Sequence, residues 1–166
     1  LPLEWFVSDG VVLDFDGRED GDAIGAADVE AALSTAGHEI KPLDVVLVRT
    51  GCDRWIDTAE YMAHGPGVTA EATHWLYDRG VRVMGIDAWG WDRPLWMQAQ
   101  EAIESGEQGI FWEAHQADLA YSQIERLVNL GSLPPTGFTV SCLPLPLVGG
   151  SAAPARVVAM LDQERD

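Results

Sequence analysis

Residues 44–51 read DVVLVRTG, and this stretch decides the fold class of the chain. Its apolar part, from Val45 to Val48, is continuous rather than alternating, which is typical of a strand covered on both faces. Thr50 and Gly51 then break the run, and polar residues at the end of such a strand often face a cleft. The stretch therefore predicts a buried strand with a candidate site at its end.

Helix and strand patterns alternate on both sides of this strand. Good helix formers from Ala26 to Ala36, with Gly37 just beyond them, predict a helix, and Thr69 can cap a second helix that ends near Arg79. Short β-branched and apolar runs predict four further strands, at Val11–Phe15, Val81–Ile86, Phe138–Cys142 and Ala155–Leu161. Together these elements predict an α/β fold, a mixed β-sheet flanked by helices, in one domain over residues 1–166.

Three further segments have their own signals. Residues 98–108 are weakly helical, and residues 121–130 fit either a helix or a strand. The loop of residues 87–96 carries three tryptophans and two acids at a strand end, where α/β folds tend to place their sites. The acidic tail, residues 162–166, is expected to be frayed.

Composition restricts the classes of partner. The chain has 27 acidic and 10 basic residues, a formal charge of -17, which disfavours binding to nucleic acid or to an anionic membrane surface. No apolar run approaches the roughly 20 residues that a membrane span needs. Cys52 and Cys142 form no disulfide framework or metal-binding spacing, and we expect both to be buried apolar residues in a reducing, cytoplasmic compartment.

Four histidines are the first candidates for chemistry, because no familiar catalytic or phosphate-binding motif is present. His38, His64 and His74 lie at a helix end, before a tight turn and inside a helix, so structural roles are expected for them. His115 and Glu125 differ, since bulky apolar residues surround them and would perturb a titratable group or a bound metal. The alternative is a half-buried histidine bonded to a carbonyl and a surface glutamate paired with an arginine.

An ordered series of short motifs along some 150 residues resembles the cyclase family, which contains kynurenine formamidase and isatin hydrolase. No single motif is specific, but their order is. In this sequence they are residues 12–14 (VLD), 45–51 (VVLVRTG), 65–68 (GPGV), 75–76 (WL), 80–81 (GV), 85–87 (GID), 92, 115, 123–125 (QIE), 129–130 (NL), 133–134 (LP), 144–145 (PL), 149–151 (GGS) and 156–159 (RVVA).

This resemblance implies a swivelling β/β/α-type domain in which a divalent metal, Mn²⁺ or Zn²⁺, activates water to attack an amide, formamide or lactam carbonyl. In the family the first metal ligands come from a His-x-Gly-Thr-His-x-Asp-x-Pro motif, which this sequence lacks. The chain begins with Leu1 and leads almost at once into a strand. We therefore expect it to correspond to the C-terminal two-thirds of a family member, N-terminally incomplete.

The resemblance also assigns site residues. His115 and Glu125 match the downstream histidine and glutamate of the family, which complete the metal site or act as its acid and base, and Gln123 matches a glutamine that takes part in the isatin hydrolase branch. Glu125 and His115 are thus both metal-ligand and catalytic candidates. Arg49 and Asp87 match recurring positions, where bracing of loops by hydrogen bonds is as plausible as contact with substrate.

Aromatic side chains suggest how a substrate would be held. Trp89, Trp91 and Trp96 could line a pocket for a flat apolar ligand, although packing in the core or between subunits is an equally simple role. The resemblance thus implies a hydrolase for a small cyclic amide or N-formyl substrate, assembled as a homodimer or homotetramer. The alternative is a metal-free binding or structural homologue, or a subunit completed by a separate chain that carries the ligand histidines.

Overall fold

The computed structural model describes residues 1–161, so the tail predicted to be frayed lies outside the described residues. A six-stranded sheet organises the chain, in the order β6-β5-β3-β1-β7-β8, and a second sheet pairs β2 with β4. The strands are β1 (Val7–Asp14), β2 (Ala23–Ile24), β3 (Val45–Arg49), β4 (Gly67–Val68), β5 (Val83–Ile86), β6 (Ser122–Ile124), β7 (Phe138–Ser141) and β8 (Val158–Leu161).

The large sheet is mixed, as predicted. β1, β3, β5 and β6 run parallel to one another, whereas β7 is antiparallel to β1 and β8 is antiparallel to β7. The carboxyl ends of the four parallel strands therefore meet at one edge, which is where open α/β sheets place their ligands.

Both faces of the central strands are buried, which explains the continuous apolar run. In β3, Val46 and Val48 pack into one cluster of buried residues, while Val45 and Leu47 pack into a second cluster. Because side chains of a strand alternate between faces, the two clusters lie on opposite sides of the sheet. The predicted strand covered on both faces is confirmed.

Three α-helices accompany the sheet: α1 (Ala26–Ala36), α2 (Ala70–Asp78) and α3 (Leu95–Ser105). α1 ends at Gly37, whose φ of 65° is the left-handed conformation that glycine adopts without strain. Thr69 caps α2 as expected, since its side chain accepts a hydrogen bond from the backbone nitrogen of Ala72. None of the described helices reaches the length and apolarity that a bilayer crossing would need.

The structure defines two segments whose sequence signals are ambiguous or weak. Residues 121–130 contain the short strand β6 and lead into a 3-10 helix at Leu130–Ser132, so this segment is not an α-helix. α3 begins at Leu95, three residues earlier than the weak pattern indicated, directly after Pro94. A proline fixes the backbone at a helix start but does not add to the apolar periodicity that marks a helix in sequence.

Candidate functional site

A cleft of about 290 Å³ opens at the carboxyl edge of the parallel strands. Its walls come from the loop after β5, the residues after β6 and the segment before β6. Residues important to its chemistry are His64, Trp89, Asp92, His115, Glu125 and Arg126. The cleft lies at the edge of the sheet where β3 also ends, but its main lining residues follow β5 and β6, and none of the lining residues belongs to residues 44–51.

Asp92, His115 and Glu125 form a chain of polar contacts in this cleft. His115 Nδ1 donates to Asp92 Oδ2 at 2.5 Å, and the backbone nitrogen of Ala114 donates to Asp92 Oδ1 at 2.8 Å. On the other side of the ring, His115 Nε2 lies 3.6 Å from Glu125 Oε1, which is too long for a hydrogen bond. Since Nδ1 carries the proton shared with Asp92, neutral His115 presents the lone pair of Nε2 beside Glu125.

The electrostatics of His115 follow from these neighbours. The hydrogen bond to the Asp92 carboxylate raises the pKa of His115 above its usual value; burial opposes this rise, and the negative charges of Asp92 and Glu125 add to it. The indole of Trp112 stacks on the imidazole with ring centroids 5.3 Å apart. Trp112 has a φ of 55°, a conformation that is uncommon for a bulky residue, so the loop is held in an unusual shape around this ring.

The position of Glu125 is fixed by the sheet. It directly follows β6, and the two residues after it are hydrogen-bonded to the end of β5 and to the loop beyond it: Arg126 N donates to Ala88 O at 3.1 Å, and Leu127 N donates to Ile86 O at 3.0 Å. Leu127 is buried in the second apolar cluster. Glu125 therefore projects from a backbone that is anchored on both sides.

Gln123 lies apart from these groups. It belongs to β6, its side-chain amide donates to the hydroxyl of Tyr121, and it is not among the residues that line the cleft. Tyr121 in turn donates to the carbonyl of Ala114 at 2.9 Å, one residue before His115. In this conformation Gln123 supports the loop of His115 through Tyr121, and its assignment as a metal ligand stays a prediction.

Asp87 and Arg49 hold loops together. Asp87, only 1% exposed, accepts hydrogen bonds from Thr50 N at 2.7 Å, Thr50 Oγ1 at 2.6 Å and Gly51 N at 2.9 Å. Burial raises the pKa of Asp87, and these three hydrogen bonds oppose the rise. Arg49 is ion-paired with two carboxylates, Asp14 and Asp16, at 2.7 Å each. Neither Arg49 nor Asp87 lines the cleft.

The three tryptophans of the loop after β5 have different environments. Trp89 lines the cleft, beneath the guanidinium of Arg126. Trp91 is completely buried, and its indole nitrogen donates to Thr73 Oγ1 at 3.0 Å. Trp96 is about half exposed on α3. Of the predicted aromatic pocket residues, Trp89 is therefore the one that the structure places on the cleft.

Sequence reasoning did not assign roles to two of the carboxylates. Asp92 was noted as a second acid in the strand-end loop and as a position of the family series, but it was given no role, and it lies 23 residues before its partner His115. Asp20 accepts from His64 Nδ1 and from Gly65 N, both at 2.7 Å, which places His64 on the cleft wall rather than only before a turn. An acid in a loop beside a buried strand was the available signal in both cases.

The donor set of the cleft fits part of a metal centre. Two ligand atoms held about 2.1 Å from a tetrahedral zinc lie roughly 3.4 Å apart, close to the 3.6 Å between His115 Nε2 and Glu125 Oε1. A carboxylate on the other ring nitrogen, as Asp92 is, is the usual way in which a ligand histidine is oriented. Within residues 1–161 no group of three or more histidine, cysteine or acidic side chains is arranged to hold a metal.

Comparison with family models gives a match to the first part of this chain. A family model described as "Putative cyclase" matches residues 1–93, more than half of the 166-residue chain. The chain belongs to the cyclase family. The family assignment predicted from the ordered motifs is thereby confirmed, as is the α/β fold with a mixed sheet.

Solved structures of cyclase-family type share the fold. Isatin hydrolase A from Ralstonia solanacearum superimposes with a TM-score of 0.79 at 26% identity, over 98% of this chain and 63% of that protein. Isatin hydrolase A from Labrenzia aggregata gives 0.76 at 26% identity, over 97% and 63%. A "potential metal-dependent hydrolase with cyclase activity" gives 0.67 at 27% identity, over 95% and 67%. This cyclase-family chain thus spans less than two thirds of the isatin hydrolases, and no curated protein sequence matches it.

Proposed function

We propose that the cleft is part of the active site of a metal-dependent hydrolase that cleaves a cyclic amide or an N-formyl amide. The observation that carries the proposal is the relay from Asp92 through His115 to Glu125, in which one imidazole nitrogen is fixed by a carboxylate and the other faces a second carboxylate. The names of the similar structures, isatin hydrolase and metal-dependent hydrolase, support the same reaction class.

His115 and Glu125 would hold the metal, either Zn²⁺ or Mn²⁺. When bound, the metal would polarise the substrate carbonyl and activate water. The other ligands, which the family resemblance assigns to the His-x-Gly-Thr-His-x-Asp motif, are not in this sequence. The proposal therefore concerns one part of a metal centre.

Residues of this chain would then carry out the proton transfers. Glu125 can accept a proton from water that attacks the carbonyl carbon, and it can return this proton to the nitrogen that departs as the C–N bond breaks. Asp92 keeps the imidazole of His115 in one orientation and one tautomer. Trp112, which lines the cleft and is 41% exposed, offers a flat apolar surface against which a planar substrate can lie.

The experiment compares metal content and hydrolysis in this chain and in any longer product of the same gene. Bound zinc and manganese are measured by elemental analysis, and hydrolysis of isatin and of N-formylkynurenine is followed spectroscopically. H115N and E125Q should each lower metal content and kcat/KM by at least about a hundredfold, because they remove ligands or the proton carrier. H74N removes an exposed histidine of α2 and should change neither quantity.

The outcomes separate the proposal from its rival. Metal and activity in the longer protein, lost in H115N and E125Q but kept in H74N, would support the hydrolase. Metal and activity that appear only when a second chain with the ligand histidines is added would favour the two-chain form. Absence of metal from every preparation would favour a binding or structural homologue.

We also propose a cytoplasmic homodimer or homotetramer. Both cysteines are free and buried, which supports a reducing compartment. Several large apolar side chains on the loop between β7 and β8 are exposed, among them Leu145, Leu147 and Val148, and such a patch suits a contact between subunits. Analytical ultracentrifugation of the wild type and of L147D tests this, since a monomeric wild type would contradict it.

A further inference from the structure

Four basic side chains of the described residues line the cleft, and one of them, His115, is hydrogen-bonded to Asp92. His64 is hydrogen-bonded to Asp20, and Arg93 is ion-paired with Glu101 at 2.8 Å. Arg126 has no carboxylate within ion-pair distance among residues 1–161. Among the basic side chains that line the cleft, Arg126 is therefore the one whose charge is not paired with an acidic side chain of the described residues.

The backbone holds Arg126 in this arrangement at a cost. Its φ is 62°, in the left-handed region that few residues other than glycine and asparagine adopt readily. Hydrogen bonds on Arg126 N and Leu127 N fix this conformation against β5. The side chain then lies over Trp89, with the guanidinium carbon 3.6 Å from the ring centroid.

Stacking on Trp89 leaves the edge of the guanidinium available. A planar guanidinium that lies over an aromatic ring interacts through its face, whereas its N–H groups point outward in the plane. These N–H groups have the geometry that a carboxylate matches with two parallel hydrogen bonds. Glu125, the adjacent residue, is not within ion-pair distance of Arg126; its Oε1 accepts a hydrogen bond from Trp91 N at 3.4 Å and lies 3.6 Å from His115 Nε2.

We propose that Arg126, seated on Trp89, binds the carboxylate of the acid that amide hydrolysis produces. Hydrolysis of a cyclic amide breaks the ring C–N bond and leaves both the new carboxylate and the amine on one molecule, beside its aromatic ring, whereas an N-formyl amide would release its acid separately as formate; the inference concerns the cyclic amide. The ring would lie in the aromatic part of the cleft while the carboxylate meets the guanidinium. The inference rests on the proposed function in one respect, the choice of an aromatic carboxylic acid as the ligand.

The test measures binding to this chain in the presence of a chelator, so that no metal can serve as the anion site. The probes are 2-aminobenzoate and 2-aminobenzamide, which have similar shape but differ in charge. Dissociation constants come from NMR titration of the indole and backbone amide signals. The wild type should bind the acid more tightly than the amide.

Arg126→Asn is the informative variant, because asparagine tolerates a left-handed backbone and the fold is therefore kept. It should weaken binding of the acid by about tenfold, the scale of a charge-assisted hydrogen bond, and leave binding of the amide within about twofold. Arg79→Asn is the matched control. Arg79 also stacks on a tryptophan, Trp75, at 3.5 Å, but at the end of α2 and away from the cleft.

Each outcome either supports or refutes a carboxylate-binding role for Arg126. Loss of the preference for the acid in R126N but not in R79N supports the subsite. Equal weakening in R79N would assign the preference to overall charge, and an unchanged R126N, or a wild type without preference, would refute the inference. Because binding is measured without metal and without turnover, a failure here is distinct from a failure of the hydrolase proposal.

Discussion

Asp92→Asn tests whether a carboxylate orients His115. The change keeps the shape of the side chain but removes its charge, and the single remaining oxygen cannot serve both Ala114 N and His115 Nδ1 as well as the two carboxylate oxygens do. Asp92 is 3% exposed at its side chain, so water cannot readily replace the lost acceptor. The variant should be folded, less stable and altered in the titration of His115.

The expected loss of stability in D92N can be worked out from the hydrogen bond between Asp92 and His115. A hydrogen bond to a charged group contributes about 1.5–3 kcal/mol, and the side chain of His115 is 34% exposed, so solvent screening reduces this to about 1–2 kcal/mol. For a chain of this size, 1 kcal/mol corresponds to a shift of roughly 2–4 °C in the unfolding midpoint. We therefore expect D92N to melt about 2–8 °C lower than the wild type at acidic pH.

The pH dependence gives the sharper test. Because the folded pKa of His115 is raised, its pairing with Asp92 stabilises the fold fully below the unfolded value, near 6.5, and this contribution is lost as pH rises through the folded pKa. The free energy of unfolding lost in D92N should thus be larger at about pH 5.5 than at about pH 9. In D92N the pKa of His115, followed by NMR, should fall towards its ordinary value.

Stability measurements on four proteins test whether Asp92 and His115 interact. Urea denaturation of the wild type, D92N, H115N and the double variant at both pH values gives the coupling between the two side chains. If D92N costs the same at both pH values, or if its cost is unchanged in the H115N background, the ion pair does not hold this histidine. An unaltered titration of His115 in D92N would contradict the ion pair as well.

Two further variants test the supports of the cleft. Thr50→Val removes one hydrogen-bond donor to the buried Asp87 carboxylate and should lower the free energy of unfolding by about 1–3 kcal/mol. The control T35V, on the exposed face of α1, should lower it little. Equal losses in urea denaturation would contradict this prediction. Gly67→Ala would place a methyl group against the backbone of the loop after β5 and should lower the free energy of unfolding by about 1–3 kcal/mol. In G25A the added methyl group would meet no atom closer than 3.7 Å. A G67A variant as stable as the wild type would disprove the close packing at Gly67.

Local patterns in the sequence were sufficient for the buried strand β3 and for the helices α1 and α2. The continuous apolar run of β3 predicted burial on both faces, and α1 matches its predicted bounds because helix formers and a terminal glycine mark it without reference to the rest of the chain. The type of residues 121–130 was not predictable, because β6 is only three residues long and exists through pairing with β5.

The candidate site was less accessible to sequence reasoning. Trp89 and Trp91 are two residues apart in a loop without periodicity, yet one lines the cleft and the other is buried against Thr73. The side-chain directions depend on contacts that are distant in sequence. The same holds for Asp92, which contacts His115 only because the intervening segment folds back over the sheet edge.

A common bonding pattern joins the loops around the cleft. Asp92 binds the backbone nitrogen of Ala114 and the side chain of His115; Asp20 does the same with Gly65 and its neighbour His64. In each case one carboxylate spans two adjacent residues of another loop. These two acidic side chains thus hold loops together, since each carboxylate provides two acceptor oxygens to a segment that lacks regular secondary structure.

Burial decides how two such carboxylates respond to pH. At Asp20, burial acts to raise the pKa, but hydrogen bonds from Gly65 and His64 prevail and lower it, so its contribution is present above about pH 3.8 and lost as pH falls through the folded pKa. At Asp87 burial prevails and the pKa is raised, so ionisation is easier in the unfolded chain and works against the fold as pH rises. Similar hydrogen bonds therefore give opposite pH dependences, because Asp20 is 47% exposed at its side chain whereas Asp87 is 1% exposed.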